Sequence, residues 1–559
     1  MPEIPPPSRR PSRRTFLAAT AATAAAAGGA PLLSACSSGG GGGRKEGTTT
    51  RKEAAKLLPA HEAARVVEPD IPSENGSRPG FTGKALPYGE LPASVPEKLG
   101  RGGTVTITSP LWGTPPEKDC AYYRAVDAAI GVQVAWQTQD GNTYGEKLGA
   151  VLASSGIPDM VVIPSWEMQG RIRSAIDSRF ADLGPYLSGE RVRKYPNLAA
   201  VPTEAWRMSI FGGKLRGLPL PSGAVDIIIP YYRQDVFEAK GWEPPTSARE
   251  FMDLAREITA PKAKVWACED MKWTAFNVFG VLPEKPYCWE RRGDRLVHRV
   301  ETDAYLEALE WTRKLYAAGV VHPDAMAVRG DAGTRFTAGQ SLITNDGNAK
   351  WYGWTFEQSG QNPDFRVQGM DIFGHDGGDP RLYFANPAGI WAFISAKASK
   401  EKVGECLAIA NFAAAPYGTR ENRLVRYGVE GTHHTIEDGV PTKTEQGVAE
   451  VQDTYFFTAG AEAVAAFPDH PRVVRDWCAW QRRMGAFMTE PLLYGMQVRE
   501  PNRWANLTDQ FEDLEDDVVR GRRPIADMRR AVEDWRGAGG DELRDWYREL
   551  IDEVGESAA

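Results

Sequence analysis

Between residues 104 and 163 the chain alternates short β-branched or apolar runs with stretches of helical period. Strands are predicted at 104–108, 132–138 and 160–163, with helices between them at 118–130 and 144–154. Two strands of one sheet that are joined through a helix run parallel, because such crossovers are right-handed. This region is therefore predicted to be a doubly wound α/β unit.

The rest of the chain predicts a second α/β unit and a helical tail. Further strands are expected at 225–232, 264–267, 341–344 and 390–395, with helices beginning near 247, 302 and 399. Ser247 and Glu250 have the spacing of a capping box at the start of one of these helices. Beyond residue 502, apolar residues such as Phe511 and Leu514 recur at helical spacing. The fold class expected is α/β with an added C-terminal helical region.

The first 36 residues are an export signal and not part of the fold. The twin arginine Arg13-Arg14 precedes an uncharged, Ala-rich run that ends at Leu33. This pattern indicates a signal peptide of the twin-arginine route. A membrane-spanning helix is disfavoured, because no apolar span of ~20 residues follows. Residues 33–36, Leu-Ser-Ala-Cys, resemble the lipobox of bacterial lipoproteins, which implies that Cys36 is lipidated and becomes the mature N-terminus.

Charge and cysteine content limit the partners of the mature chain. The 523 residues beyond Cys36 are enough for two or three domains, and without the signal the net charge changes from −8 to −11. This acidity excludes nucleic acid and an anionic membrane surface, so the lipid anchor is the only membrane contact expected. Five irregularly spaced cysteines follow Cys36, which fits neither a disulfide framework nor a zinc site. Cys268 and Cys288 either pair in an oxidising compartment or stay buried and free.

A set of short phrases occurs in order between residues 152 and 431. They are Leu-Ala-Ser-Ser-Gly-Ile-Pro-Asp at 152–159, Tyr-Arg-Gln-Asp at 232–235 with Gly-Trp at 241–242 and Pro-Thr at 245–246, Gly-Asp-Arg-Leu-Val at 293–297 with Leu-Tyr-Ala-Ala-Gly at 315–319, Phe-Thr-Ala-Gly-Gln at 336–340, and Tyr-Gly-Val-Glu-Gly at 427–431. Together they resemble bacterial extracellular solute-binding proteins of family 1, and the last resembles the larger oligosaccharide- and polysaccharide-binding lipoproteins of ABC importers. Gln340 departs from the family's usual lysine.

The resemblance implies a periplasmic-binding-protein-like fold, in which two lobes joined by a hinge hold the ligand between them. Carried onto this chain, lobe 1 would comprise 101–225 and 337–385, and lobe 2 would comprise 226–336 and 386–559. Residues 37–100, rich in Gly, Thr, Pro and charge, are expected to be a tether and linker, of which 57–59 and 81–88 lie against the body. The implied function is capture of an oligosaccharide by a monomer on the extracytoplasmic face of the cell membrane, followed by delivery to the permease of an ABC transporter.

Tryptophans and carboxylates follow several predicted strands. In open α/β sheets, ligands bind beyond the carboxyl ends of the strands. A sugar presents apolar C–H faces and a rim of hydroxyls, so its site needs aromatic platforms with nearby polar groups. The candidate ligand-binding residues are Trp112, Asp140, Trp166, Trp273, Asp346 and Trp351. The alternative for each tryptophan is a place in the hydrophobic core, which is where we expect Trp391.

The sequence contains none of the common motifs of catalysis. The chain has no G-x-S-x-G, no P-loop, and no G-x-G-x-x-G after a strand. Some relatives bind calcium in lobe 1, but residues 188–197 lack the Asp/Asn ladder of a calcium loop, so neither metal nor cofactor is expected. The alternative function is a surface-anchored glycoside hydrolase or polysaccharide lyase, because paired catalytic carboxylates are a tertiary feature.

Overall fold

A computed structural model describes residues 49–555 apart from 65, 96, 169, 328–330, 502, 505 and 506. The signal segment and Cys36 lie outside the described residues. Nine strands form the two main sheets. They are β1 (Thr104–Leu111), β2 (Gln133–Asp140), β3 (Met160–Pro164), β4 (Gly217–Pro221), β5 (Ile229–Arg233), β6 (Trp266–Cys268), β7 (Ser341–Asp346), β8 (Val367–Gly369) and β9 (Ala388–Ile394).

Helices of six or more residues cover the sheets and form the C-terminal region. They are α1 (Arg51–Leu57), α2 (Ala121–Ile130), α3 (Tyr144–Ala153), α4 (Gly170–Arg179), α5 (Gln234–Lys240), α6 (Ala248–Ile258), α7 (Lys272–Val278), α8 (Asp303–Ala317), α9 (Ala332–Thr337), α10 (Ala349–Ser359), α11 (Lys400–Ala413), α12 (Arg420–Tyr427), α13 (Glu445–Glu450), α14 (Pro471–Gly485), α15 (Asp509–Val519), α16 (Ile525–Trp535) and α17 (Asp541–Val554).

The first sheet has the strand order β2-β1-β3-β9-β4. β1 runs parallel to β2 and β3, which confirms the doubly wound unit predicted at 104–163. β9 enters antiparallel between β3 and β4. Every residue of β3 is buried, because helices cover both faces of the sheet. The apolar residues packed here, the first core, come from 105–218 and 388–459.

The second sheet has the order β8-β5-β7-β6, with β6 parallel to β7 and β5 antiparallel to β7 and β8. Its apolar residues, the second core, come from 225–382 and 465–554 and include the predicted helical tail. Phe511 and Leu514 of α15 are buried in this core, as their spacing predicted. At α6, Ser247 accepts a hydrogen bond from the N–H of Glu250 as expected, but the Glu250 carboxylate accepts from Thr246 and not from the cap residue.

Two segments belong to the opposite sheet from the one that the lobe boundaries above assign. β7, placed in lobe 1 by those boundaries, pairs with β5 and β6 of the second sheet, and β9 pairs with β3 and β4 of the first. The sequence of a short buried strand does not indicate which strand it pairs with. The resemblance alone therefore assigned 337–385 and 386–459 to the wrong lobes. The connections at 222–228, 384–387 and 460–464, here called the first, second and third crossings, carry the chain from one core to the other, and Val225 in the first of them already packs in the second core.

The described part of the expected tether packs against the body of the protein. Phe81 and Leu91 are buried, and the short strand Gly80–Phe81 pairs in parallel with Ala465–Ala466. The burial of Phe81 confirms that residues 81–88 contact the body, whereas the prediction of a tether is wrong for the rest of 49–100 outside 57–59. Apart from the helix Arg51–Leu57 and the two-residue strand Gly80–Phe81, the segment is held mainly by turns and isolated backbone hydrogen bonds, so its sequence shows no sustained period.

Candidate ligand-binding crevice

Trp112 and Trp166 lie side by side at the carboxyl edge of the first sheet. Trp112 follows β1 directly, and Trp166 lies in the short turn Ser165–Glu167 that follows β3. Their ring centroids are 6.0 Å apart and the planes are inclined at 56°. Trp112 is 44% exposed and Trp166 52% exposed. The parallel strand order predicted that these two rings lie next to each other, and the structure shows this proximity.

The Trp112 ring is held in place by neighbouring residues although it is 44% exposed. A Cβ on Gly141 would lie 2.3 Å from Cε2 of Trp112, so the indole rests on the backbone that follows β2. Phe457 meets the same ring edge-on, with centroids 5.7 Å apart. An indole that is held in place and partly exposed can stack against a flat apolar face of a ligand.

Polar groups surround the two indoles. Asp140 is exposed, and its Oδ1 accepts a hydrogen bond of 2.9 Å from the N–H of Asn142. Glu167 follows Trp166 and packs against Gly145, and burial raises the pKa of its carboxyl. A Cβ on Gly389 would lie 4.0 Å from Oγ of both Ser165 and Ser222. These carboxylate and hydroxyl groups can exchange hydrogen bonds with the hydroxyl rim of a sugar.

The crevice adjoins the connections between the two cores. β4 ends at Pro221 and β9 begins at Ala388, both at the edge of the first sheet where β3 ends. On the second sheet, the start of β5 pairs with Asp346 at the end of β7. The two strand edges thus border the first and second crossings. Motion of one core relative to the other would change the space beside Trp112 and Trp166.

Asp346 and Trp273 are the candidates associated with the second sheet that are not fully buried. Asp346 is half-buried at the end of β7, where burial raises the pKa of its carboxyl against the opposing hydrogen bond of 2.7 Å from Gly347 N–H. Trp273, on α7, is 42% exposed and meets Phe276 edge-on. Among the described ring contacts, none joins Trp273 to Trp112 or Trp166.

Trp351 is a core residue, so its assignment as a ligand platform is wrong for this conformation. It is 1% exposed and packs edge-on against Tyr231, with centroids 5.7 Å apart. A Cβ on Gly369 would lie 2.7 Å from its ring, so β8 closes over the indole. The residue lies in the first turn of α10, and that turn faces the sheet. Trp391 is buried in the first core, as expected.

Glu167, Phe457 and the Ser165–Ser222 pair were missed by the sequence analysis. Glu167 could have been found, because it directly follows a candidate tryptophan. Phe457 and Ser222 follow no predicted strand of the first unit, and only the tertiary packing brings them near Trp112 and Ser165.

Within the described residues, the structure has no metal cluster, no membrane-spanning helix and no disulfide. No group of three His, Cys, Asp or Glu side chains is placed there to hold a metal ion. No helix in those ranges is both long and apolar enough to cross a membrane. The five cysteines from Cys120 to Cys478 are all buried and free, so Cys268 and Cys288 do not pair.

Two α/β sheets joined by crossings, with an aromatic crevice beside them, define a two-lobed fold like that of the periplasmic binding proteins. The sequence profile of the bacterial extracellular solute-binding proteins matches residues 121–423. The chain belongs to that family, whose members are binding proteins and not enzymes.

Similar proteins extend this comparison. Lipoprotein LipO of Bacillus subtilis is 21% identical over 366 residues, covering 62% of this chain and 70% of LipO. The N-glycan transport solute-binding protein NgtS of Streptococcus pneumoniae has a TM-score of 0.58 at 16% identity, over 81% of this chain and 99% of NgtS. The S. pneumoniae transporter protein FusA, in complex with kestose, has a TM-score of 0.59 at 11% identity, over 80% and 99% of the two chains. At these identities the structural likeness concerns the fold.

Proposed function

We propose that this protein is a lipid-anchored receptor that captures an oligosaccharide between its two lobes and delivers it to the permease of an ABC importer. One observation carries the proposal: Trp112 and Trp166 present exposed rings at a strand edge next to the crossings. Large exposed apolar groups are unfavourable in water unless they serve a binding partner. Closure of the lobes would dehydrate these rings against a ligand.

The nature of the ligand is supported by chemistry and by similar proteins. Two inclined indoles with carboxylates and hydroxyls around them suit a carbohydrate, whose rings have apolar faces and polar rims. NgtS is described as an N-glycan transport protein, and FusA binds kestose. Asp140, Glu167 and Asp346 would accept hydrogen bonds from sugar hydroxyls. Trp273 would contribute from the second lobe when the lobes close.

Anchoring and lobe boundaries form the second part of the proposal. Cys36 would carry the lipid and hold the protein on the extracytoplasmic face of the membrane after export by the twin-arginine route. The similarity to Lipoprotein LipO supports this assignment. The lobes would be divided at the three crossings, with the first lobe built on the first core and the second lobe on the second core. The receptor would act as a monomer.

A thermal-shift screen against neutral, N-acetylated and acidic oligosaccharides tests the proposal. A ligand at about 100 times its Kd adds ~2.7 kcal/mol to the free energy of unfolding, which a melting curve detects. We expect at least one oligosaccharide to raise Tm in a saturable manner, with one ligand bound per protein. If no carbohydrate does so while peptides or other solutes do, the proposed ligand class is wrong.

Recovery of the ligand separates a receptor from a surface-anchored carbohydrate-active enzyme. We expect the bound oligosaccharide to be returned intact after prolonged incubation, because a receptor releases its ligand unchanged. Mass spectrometry of the recovered sugar makes the measurement. Time-dependent cleavage that scales with protein concentration would assign the alternative function.

A further inference from the structure

The segment 59–94, here called the strap, contacts regions of the first core, then of the second, then of the first again. Its backbone contacts are, in order, Ala60 N–H to Gly189 O at 3.1 Å, Glu62 N–H to Ala199 O at 2.9 Å, Gly80–Phe81 paired with Ala465–Ala466, and Ala85 N–H to Gly439 O at 2.6 Å. A segment with this path cannot follow one lobe alone when the lobes move.

The turn at Asn75-Gly76 brings the strap against two of the three crossings. Both residues have positive φ, 53° and 76°, a combination that Asn-Gly adopts at low cost. A Cβ on Gly76 would lie 3.2 Å from Ala224 Cβ in the first crossing and 3.7 Å from the ring of Phe384 in the second. The turn is thus wedged between these two connections.

Arg78 joins the first crossing to the third. Its Nε donates to Oδ1 of Asp226 at 3.0 Å, and Nη2 donates to Oδ2 of the same carboxylate. Its Nη1 donates to the carbonyl oxygen of Val464 at 3.4 Å. The two side chains are only 17% and 9% exposed, so water screens this pair weakly. With the Asn75-Gly76 turn, the strap therefore contacts all three crossings.

Asp226 extends this contact to the candidate ligand crevice. Its carboxylate also accepts hydrogen bonds from Gly223 N–H at 2.6 Å and from Nε2 of Gln481 at 3.1 Å. Nδ2 of Asn348, two residues beyond Asp346, donates to the same carboxylate. The strap, the first crossing and the loop after β7 are held at one carboxylate.

We propose that the strap is a brace on the hinge, which limits how far the two lobes open. Rotation of the lobes must change backbone angles within the crossings, and the strap contacts each of them. Opening must therefore also displace the Asn75-Gly76 turn or break the Arg78–Asp226 pair. The brace acts on the hinge motion of the proposed function, but it can be tested without a ligand and independently of which solute binds.

Hydrogen exchange of the ligand-free protein tests the brace. In Arg78→Gln we expect amide exchange in 222–228, 384–387 and 460–464 to accelerate at least tenfold, and the radius of gyration in solution scattering to increase. Arg193→Gln is the matched control, because Arg193 pairs with Glu62 of the strap at an exposed position, away from the Asn75-Gly76 turn. This variant should leave both readouts at wild-type values.

The milder variant Arg78→Lys keeps the charge but loses the two-pronged contact, and we expect an intermediate exchange rate. It replaces Arg78→Gln if that variant does not fold. Exchange that changes less than twofold in the crossings, an unchanged radius, or acceleration confined to the strap would each overturn the proposal. If no sugar ligand is found, the proposed function is contradicted, but the exchange rates and the radius of gyration still test the brace.

Discussion

The indole of Trp112 lies directly on the backbone of Gly141, and a Cβ at that glycine would fall 2.3 Å from the ring. The two residues follow adjacent parallel strands, so the position of the platform is set by the absence of a side chain on its neighbour. This relationship makes Gly141 a residue of the site even though it offers no functional group.

Gly141→Ala should weaken ligand binding without unfolding the protein. The added methyl group must push the Trp112 ring away from its place, and we expect about tenfold weaker affinity, or ~1.4 kcal/mol. Isothermal titration with the ligand from the screen measures the effect. Gly149→Ala is the control, since nothing lies within 4 Å of a Cβ at that position of α3. Equal affinity in both variants would show that the ring position does not matter for binding.

Trp112→Ala and Trp166→Ala should each reduce affinity by ~1–3 kcal/mol, the usual range for a stacking aromatic at a binding site. Because the rings are about half exposed, the free energy of unfolding of the ligand-free protein should change little. Calorimetry with and without ligand separates the two effects. Trp242→Ala, which removes a partly buried indole bonded to Glu257, is the control for loss of a tryptophan. If the variants have a lower Tm without ligand but bind the ligand with normal affinity, both rings stabilise the fold and do not contact the ligand.

Trp351→Ala should show the opposite behaviour. The indole fills the space between Tyr231 and Gly369, so its removal leaves a cavity in the second core. We expect a loss of ~3–5 kcal/mol in the free energy of unfolding. Urea denaturation of the ligand-free protein makes this measurement. If the variant is as stable as the wild type but binds the ligand more weakly, Trp351 belongs to the ligand site.

The local alternation of residues 104–163 allowed the first unit to be predicted, because each strand and helix there pairs with a neighbour in sequence. The position of β9 in the sheet could not be predicted. Its apolar sequence indicates that both faces are buried, but it does not indicate that β3 and β4 are the partner strands. The packing of residues 49–100 was missed for a related reason. It depends on turns and distant backbone partners, which leave no periodicity.

The rule that ligands bind beyond strand ends found Trp112 and Trp166 but also selected Trp351. Each follows a strand, and the rule does not state which way a residue in the next turn faces. Trp166 lies in a turn open to solvent, whereas the first turn of α10 faces the sheet. Sequence position alone did not distinguish an exposed tryptophan from a buried one, and only the packing of the folded chain did.

Cys36→Ser should release the protein from the membrane. The Leu-Ser-Ala-Cys exit at 33–36 motivates this expectation, since the thiol is the group that would be lipidated. Fractionation of cells should find the variant in the soluble fraction, or as unprocessed precursor. Labelled lipid that remains attached to the variant would refute anchoring at this cysteine. Replacement of the buried Cys406 by Ser is the control and should leave membrane association unchanged.

The stability contributed by Glu301 should depend on pH in a defined direction. Its side chain is 1% exposed and pairs with Arg536 and Arg544 at 2.6 and 2.7 Å. Burial opposes ionisation, but the N–H of His298 and the two guanidinium groups outweigh it and lower the pKa of Glu301. A lowered folded-state pKa means that the stabilisation is fully present above the unfolded value of about 4.3 and is lost as pH falls through the folded value.

Glu301→Gln should therefore destabilise the protein at pH 7, by roughly 1–3 kcal/mol for loss of charged hydrogen-bond partners. The difference between wild type and variant should shrink as the pH is lowered below about 4, because wild-type Glu301 then becomes neutral as well. Urea denaturation of both proteins across this pH series measures the difference. Asp303→Asn, at the start of the neighbouring helix α8, is the control for removal of a nearby carboxylate. A gap between wild type and Glu301→Gln that stays constant down to pH 3 would show that the buried ion pairs do not depend on this carboxylate's charge.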